Sequence, residues 1–218
     1  MTLEHLVRPP AVQAGRPPLL VLLHGIGADE EDLFGLAGHL DGRFLVVSAR
    51  APFEAEPMGY AWYGIDWYAI PPRADATQAR ESRDRLTRFL GEACEAYGAD
   101  PAGVHFLGFS QGASMALGVA LSRPDLVRSV VAHSGRLHLQ FVPPATPPGL
   151  AGLPVLLQHG RRDPVVPVAF ADEARGLLEP MGVALERRDY DLGHEIGPES
   201  LRDLAGWLTA RLDVPAPR

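Results

Sequence analysis

The pentapeptide Gly108-Phe109-Ser110-Gln111-Gly112 constrains this chain more than any other stretch, because of what stands on either side of it. Val104 to Phe109 is a largely apolar run that reads as a buried strand, and Ala113 to Leu121 is a small-residue run that reads as a helix. A G-x-S-x-G between strand and helix demands a turn so tight that the serine backbone is strained and its hydroxyl projects. Only small flanking residues let the two arms pack that closely. The bare five letters could arise by accident in a Gly- and Ala-rich chain, so the strand-turn-helix setting carries the specificity.

Other short β-like runs alternate with stretches of helical period. Strands are expected over Leu19 to His24, Arg43 to Ser48, Val104 to Phe109, Ser129 to His133, Val155 to His159 and Ala184 to Tyr190, with Thr2 to Arg8 as an added edge. Most are continuous apolar runs, as expected of strands buried on both faces. Asp29 to Leu40 carries a stripe of Leu33, Leu36, Ala37 and Leu40 behind an acidic start, which suits a helix dipole. Leu86, Phe89, Leu90, Ala93, Cys94 and Tyr97 form a second stripe, and Leu201, Leu204, Ala205, Leu208 and Leu212 a third. This alternation predicts an α/β chain with a mostly parallel central sheet and helices on both faces. At 218 residues one domain, spanning 1–218, is expected. The stretch from Gly135 to Leu153 is too short for a large cap and contains two Pro-Pro pairs, and the tail from Pro215 is expected to fray.

Several function classes are excluded by composition. All 20 basic residues are Arg, so neither a Walker loop nor Schiff-base or pyridoxal chemistry has its lysine. A net charge of -7 argues against nucleic acid as a partner. No apolar run approaches the roughly 20 residues of a membrane span, and Glu4, His5 and Pro9-Pro10 do not make a signal peptide, so a cytoplasmic protein without integral membrane association is expected. Cys94 is read as a core residue. No HExxH or paired-Cys spacing occurs, so neither a metal nor any other cofactor is expected.

A serine hydroxyl is a weak nucleophile, and it needs a base whose second nitrogen is held by a partner. With the nucleophile on a strand-helix elbow the chain order is Ser, then Asp or Glu, then His. Asp163 follows the Val155 to His159 run, and His194 follows the Ala184 to Tyr190 run, which puts both on loops at the C-terminal ends of strands. Asp189 and Asp191 remain alternatives to Asp163 by their closeness to His194. His105, His133 and His159 read as packed core residues, and His5, His39 and His138 as surface groups. Leu22-Leu23-His24-Gly25-Ile26-Gly27 ends the first buried strand with a His-Gly turn, the kind of loop that supplies an oxyanion-hole donor. The candidate donors are the backbone N–H groups of Ile26 and of Gln111, with His24 as a possible brace.

The segments Leu22 to Gly27, Gly108 to Gly112, His159 to Pro167 (HGRRDPVVP) and Gly193 to Ile196 (GHEI) together resemble the phospholipase/carboxylesterase family of α/β-hydrolases, almost end to end. The resemblance implies a serine carboxylesterase acting on small-molecule or lipid esters through Ser110, His194 and Asp163. An acyl-protein thioesterase or lysophospholipase is the alternative, with acylated protein as a further substrate, and a non-catalytic binding protein on the same fold stands behind both. The resemblance also suggests that Trp62 lines the substrate pocket, although an aromatic there could equally cap the core. The oligomeric state is left open.

Overall fold

A computed structural model describes residues 1–12, 15–70 and 72–214, so the tail from Pro215 lies outside the described residues. One sheet contains β1 (His5–Arg8), β2 (Pro18–Leu23), β3 (Leu45–Ala49), β4 (Asp100–Phe109), β5 (Ser129–His133), β6 (Pro154–Gly160) and β7 (Ala184–Tyr190). Their spatial order is β1-β3-β2-β4-β5-β6-β7, and only the β1–β3 pair is antiparallel. The chain leaves β2 toward β3 on one side and leaves β4 toward β5 on the other. The boundary between β2 and β4 is therefore the point where the strand order reverses, and open parallel sheets bind ligands at the C-terminal edge of such a point.

Alternation along the strands feeds two cores. Leu19, Val21, Leu23, Val47, Phe106, Val130 and Val155 face α2 (Ala76–Tyr97) and α3 (Gln111–Ser122). Leu20, Leu22, Val46, Leu107, Val131 and Leu156 face α1 (Glu30–Phe34) and α5 (Pro198–Leu212). Residues Gln111 to Leu121 of α3 are all buried, which explains their small side chains: α3 lies directly on the sheet.

Several elements differ from the sequence expectation. The helix expected from Asp29 to Leu40 stops after Phe34 and resumes only as a 3₁₀ turn at Ala37–His39, because Gly35 and Gly38 weaken the middle of the stretch. β4 begins at Asp100, where the chain pairs with Pro18. α4 (Ala169–Leu178) had not been anticipated, nor had the two-residue ladders Phe53–Glu54 with Tyr60–Ala61 and Ile65–Asp66 with Arg73–Ala74. Between Gly135 and Leu153 the chain makes only one 3₁₀ turn, Leu139–Phe141.

His105, His133 and His159 are buried. His138, expected at the surface, is half-buried against Tyr63 and Phe141, and His5 bonds to Tyr97. Burial pushes His105 and His133 down to about 3 and His138 to about 4, with Arg128, His159 and Arg136 respectively reinforcing it. The unfolded chain binds these protons near pH 6.5 while the folded chain does not. Stability is therefore expected to fall as the pH drops from about 6.5 toward 4, with uptake of about three protons from these groups on unfolding near pH 5. Urea midpoints across that range measure the slope. His105→Gln should reduce it by about one proton, and an unchanged slope would show that His105 titrates normally.

Candidate active site

Ser110 joins β4 to α3 at φ 53° and ψ -116°, a region that L-residues with side chains rarely occupy. The strain is held by the Ser110 N–H donating to His133 O at 2.9 Å and by the Ala113 N–H donating to Ser110 O at 3.1 Å. The flanking glycines are required by crowding. A Cβ on Gly108 would lie 2.4 Å from Gly112 O, and one on Gly112 would lie 2.0 Å from Leu23 O, so either side chain would push α3 off the sheet.

The loops after β6 and β7 converge on this turn. His194 Nε2 lies 2.9 Å from Ser110 Oγ, and its Nδ1 lies 2.7 Å from Asp163 Oδ2. Asp163 is buried, and its Oδ1 accepts from the N–H groups of Val165 (2.9 Å) and Val166 (2.8 Å). Burial pushes the Asp163 carboxyl upward, but His194 and the two backbone donors outweigh it and hold the group below its ordinary range. His159 Nε2 lies 2.7 Å from Val166 O and 3.6 Å from Asp163 Oδ2, and the carbonyl requires that this nitrogen carry the proton. The Phe109 ring packs 4.8 Å from the His194 ring, centroid to centroid, and supports it on one side. Asp189 instead pairs with Arg187, and Asp191 with Arg162, and neither is a hydrogen-bond partner of His194.

On the other side of Ser110 the loop after β2 passes so closely that a side-chain carbon on Gly25 would lie 3.2 Å from Ser110 Cβ. Neither the Ile26 N–H nor the Gln111 N–H has a hydrogen-bond partner among the described residues. His24 braces the loop. Its Nε2 accepts from the Ala51 N–H at 3.0 Å, so its Nδ1 carries the proton and donates to Gly25 O at 2.7 Å.

Trp62 does not line an open pocket. None of its surface is exposed, and its indole N–H donates to His24 O at 3.0 Å, beneath the loop. The Gln111 side chain holds the same segment: its Oε1 accepts from the Trp62 N–H (2.7 Å) and its Nε2 donates to Tyr63 O (2.6 Å). Gly27 N–H to Tyr60 O and Tyr60 N–H to Ala28 O complete the connection. Thus the loop carrying the Ile26 N–H and the turn carrying the Gln111 N–H are tied together through residues 60–63. Gln111→Ala should orphan two buried backbone groups, at about 1–3 kcal/mol each, and lower kcat by roughly tenfold or more with little change in KM. Trp62→Phe, which deletes one donor and keeps a ring, should lower kcat in the same manner. Wild-type kcat in both folded variants would show that the loop holds its place unaided.

A hydroxyl bonded to an imidazole, a buried carboxylate on the imidazole's other nitrogen and two unspent backbone donors nearby are the groups that attack on an acyl carbon would call for. A family profile described as Phospholipase/Carboxylesterase matches residues 9–212. The chain belongs to the phospholipase/carboxylesterase family. It is accordingly a carboxylic ester hydrolase of the α/β-hydrolase fold. Among similar members, esterase YpfH of Escherichia coli is 30% identical, covering 84% of this chain and 78% of its own. Acyl-protein thioesterase 1 of Eremothecium gossypii is 28% identical, covering 91% and 90%. Solved structures of this fold include a carboxylesterase from Mesorhizobium loti, with a TM-score of 0.83, 25% identity and coverage of 96% and 95%. Esterase PE8 is similar to the same extent, with a TM-score of 0.81, 29% identity and coverage of 95% and 98%. Among the described residues, no helix of this family member is long and apolar enough to cross a membrane, and no group of three His, Cys, Asp or Glu residues could hold a metal ion.

Sequence reasoning missed the side-chain work of Gln111, the ring support from Phe109 and the Val165 and Val166 donors. Only the last had a local signal: an Asp ahead of Pro-Val-Val-Pro favours a turn in which the carboxylate bonds backbone N–H groups two and three residues on.

Proposed function

We propose that this chain hydrolyses carboxylic esters of small or acyl-chain substrates by two-step acyl transfer through Ser110, His194 and Asp163. The observation that carries the proposal is the hydrogen-bonded series Ser110 Oγ, His194 and Asp163, at 2.9 and 2.7 Å, beside the two unpartnered N–H groups. Ser110 Oγ bonds to the ester carbon as its proton passes to His194 Nε2, and the N–H groups of Ile26 and Gln111 hold the oxyanion. Collapse breaks the bond to the leaving oxygen, which takes the proton from His194. Water then gives a proton to His194 and attacks the acyl-enzyme, and the released Ser110 recovers that proton. Every step uses protein groups and water alone.

A fluorophosphonate probe followed by peptide mapping tests this reading. Labelling of Ser110 that is lost in His194→Ala supports it. An unlabelled Ser110 in the folded wild-type protein would favour a non-catalytic binding role. Likeness to Acyl-protein thioesterase 1 over 91% of the chain supports a second reading, in which the acyl group is carried on sulfur, including on an acylated protein. Matched oxygen and sulfur esters of the same acyl chain separate the two by their kcat/KM ratio.

A further inference from the structure

We propose that the cavity flanking the nucleophile elbow receives a carboxylate carried by the ester substrate, with Arg136 as its main contact and Arg73 at its rim. This inference rests on the esterase reading above and specifies its substrate class. The cavity holds about 740 Å³, within the range of small-molecule sites. The segment from Arg136 to Gln140 forms one wall, Arg73 and its neighbours another, and Glu173 and Leu177 of α4 the third.

That first wall is built onto the elbow. A Cβ on Gly135 would lie 3.0 Å from Ser110 O, and Ser114 Oγ, in the first turn of α3, donates to Arg136 O at 2.6 Å. Tyr63, whose carbonyl accepts from Gln111, stacks edge-on against His138, with the centroids 5.5 Å apart. This wall is therefore joined to the Ser110–Ser114 turn through the backbone of Gly135 and Arg136.

Arg136 is half-buried, with its guanidinium carbon 4.2 Å above the Phe170 ring. Its guanidinium donates no hydrogen bond to a described residue and has no carboxylate within 4.0 Å among them. The stacking fixes the plane of a cation whose donors are unspent, the arrangement that suits a planar carboxylate. Arg73 also has no ion-pair partner among the described residues, although Asp66 stands opposite it in the short ladder. Glu173 is the opposing charge within the cavity, and it too is unpaired among those residues. His138 is held neutral by its burial and by Arg136. The lining therefore carries one net positive charge, matching a monoanion, and exposed Leu139 with Leu177 offers apolar surface to the chain that joins the anion to the ester.

The test compares kcat/KM within two matched pairs, each rate normalised to that ester's hydrolysis by hydroxide. One pair has the charge on the acyl side: 4-nitrophenyl hydrogen suberate against its methyl ester. The other has it on the alcohol side: 4-acetoxybenzoate against methyl 4-acetoxybenzoate. In at least one pair the anion should be preferred by about fivefold, and the preference should shrink toward unity in about 1 M NaCl. Arg136→Gln should collapse the ratio and Glu173→Gln should raise it, opposite effects that a general loss of packing would not produce. No preference in either pair, or a preference that survives Arg136→Gln, overturns the proposal while leaving the esterase reading intact. Inactivity of the folded wild-type protein on all four esters overturns the esterase reading, and this proposal with it.

Discussion

Replacing Ser110 with Ala is expected to lower kcat by about 10⁶, replacing His194 with Ala by a similar factor, and combining the two by little more. The geometry gives the reason. His194 Nε2 has one function in the proposed cycle, to exchange a proton with the oxygen 2.9 Å away, and without that oxygen the imidazole has nothing to activate. The double variant should retain a residual rate about 10³ to 10⁴ above the uncatalysed reaction, because the N–H groups of Ile26 and Gln111 belong to the backbone and survive both substitutions. Rates must be measured on protein whose purity excludes traces of wild type, since a contaminant at one part in 10⁵ would dominate a loss of this size. Losses that multiply in the double variant would mean that Ser110 and His194 act in separate steps, which the proposed mechanism does not allow.

The parts of this site that were legible in the sequence are those whose physics is local. The elbow could be read because a strand, a strained turn and a helix in van der Waals contact leave room for glycine alone at 108 and 112, and that crowding is written into five consecutive letters. The central strands were legible because both faces are covered, which makes their sequences continuously apolar. Asp163 could be placed because it lies a few residues past such a strand, and His194 because it follows the more polar edge strand β7 and comes last in the chain order Ser, Asp, His. The connection among His24, Ala51, Trp62 and Gln111 was not legible, because its members are spread over nearly ninety residues of chain, from 24 to 111, and obey no period. Trp62 illustrates the difficulty. An aromatic in a loop is compatible with an exposed pocket wall or with a buried prop, and only the paths of the β2 loop and of residues 60–63 place it beneath His24 O. The helix expected from Asp29 to Leu40 fails for the opposite reason: its apolar stripe is genuine, but two glycines within four residues let the chain tighten into a 3₁₀ turn that buries the same side chains.

The choice among Asp163, Asp189 and Asp191 has the second large consequence. Asp163→Asn is expected to lower kcat by about 10⁴, although the new side chain has the same size and shape. At this position the orientation of an amide is dictated by its surroundings. The N–H groups of Val165 and Val166 point at one oxygen, at 2.9 and 2.8 Å, and only the carbonyl oxygen of Asn can accept from them. The amide nitrogen must then face His194 Nδ1, which in the wild type lies 2.7 Å from a carboxylate oxygen. A donor in that place requires Nδ1 to be unprotonated and sends the imidazole proton to Nε2. There it faces Ser110 Oγ, and the nitrogen that should accept the serine proton already holds one. Turning the amide over restores the correct tautomer but sets its NH₂ against two backbone N–H groups in a buried site, which is costly. Asp191→Asn should behave otherwise: Asp191 pairs with Arg162 at 2.7 Å in a largely exposed position, where such a pair contributes little. Steady-state rates for the two variants, with thermal unfolding to show that each is folded, decide the matter. An inactive Asp191→Asn beside a fully active Asp163→Asn would transfer the orienting role from Asp163 to Asp191 and would require His194 to turn its Nδ1 away from Asp163 toward the exposed Asp191 during catalysis.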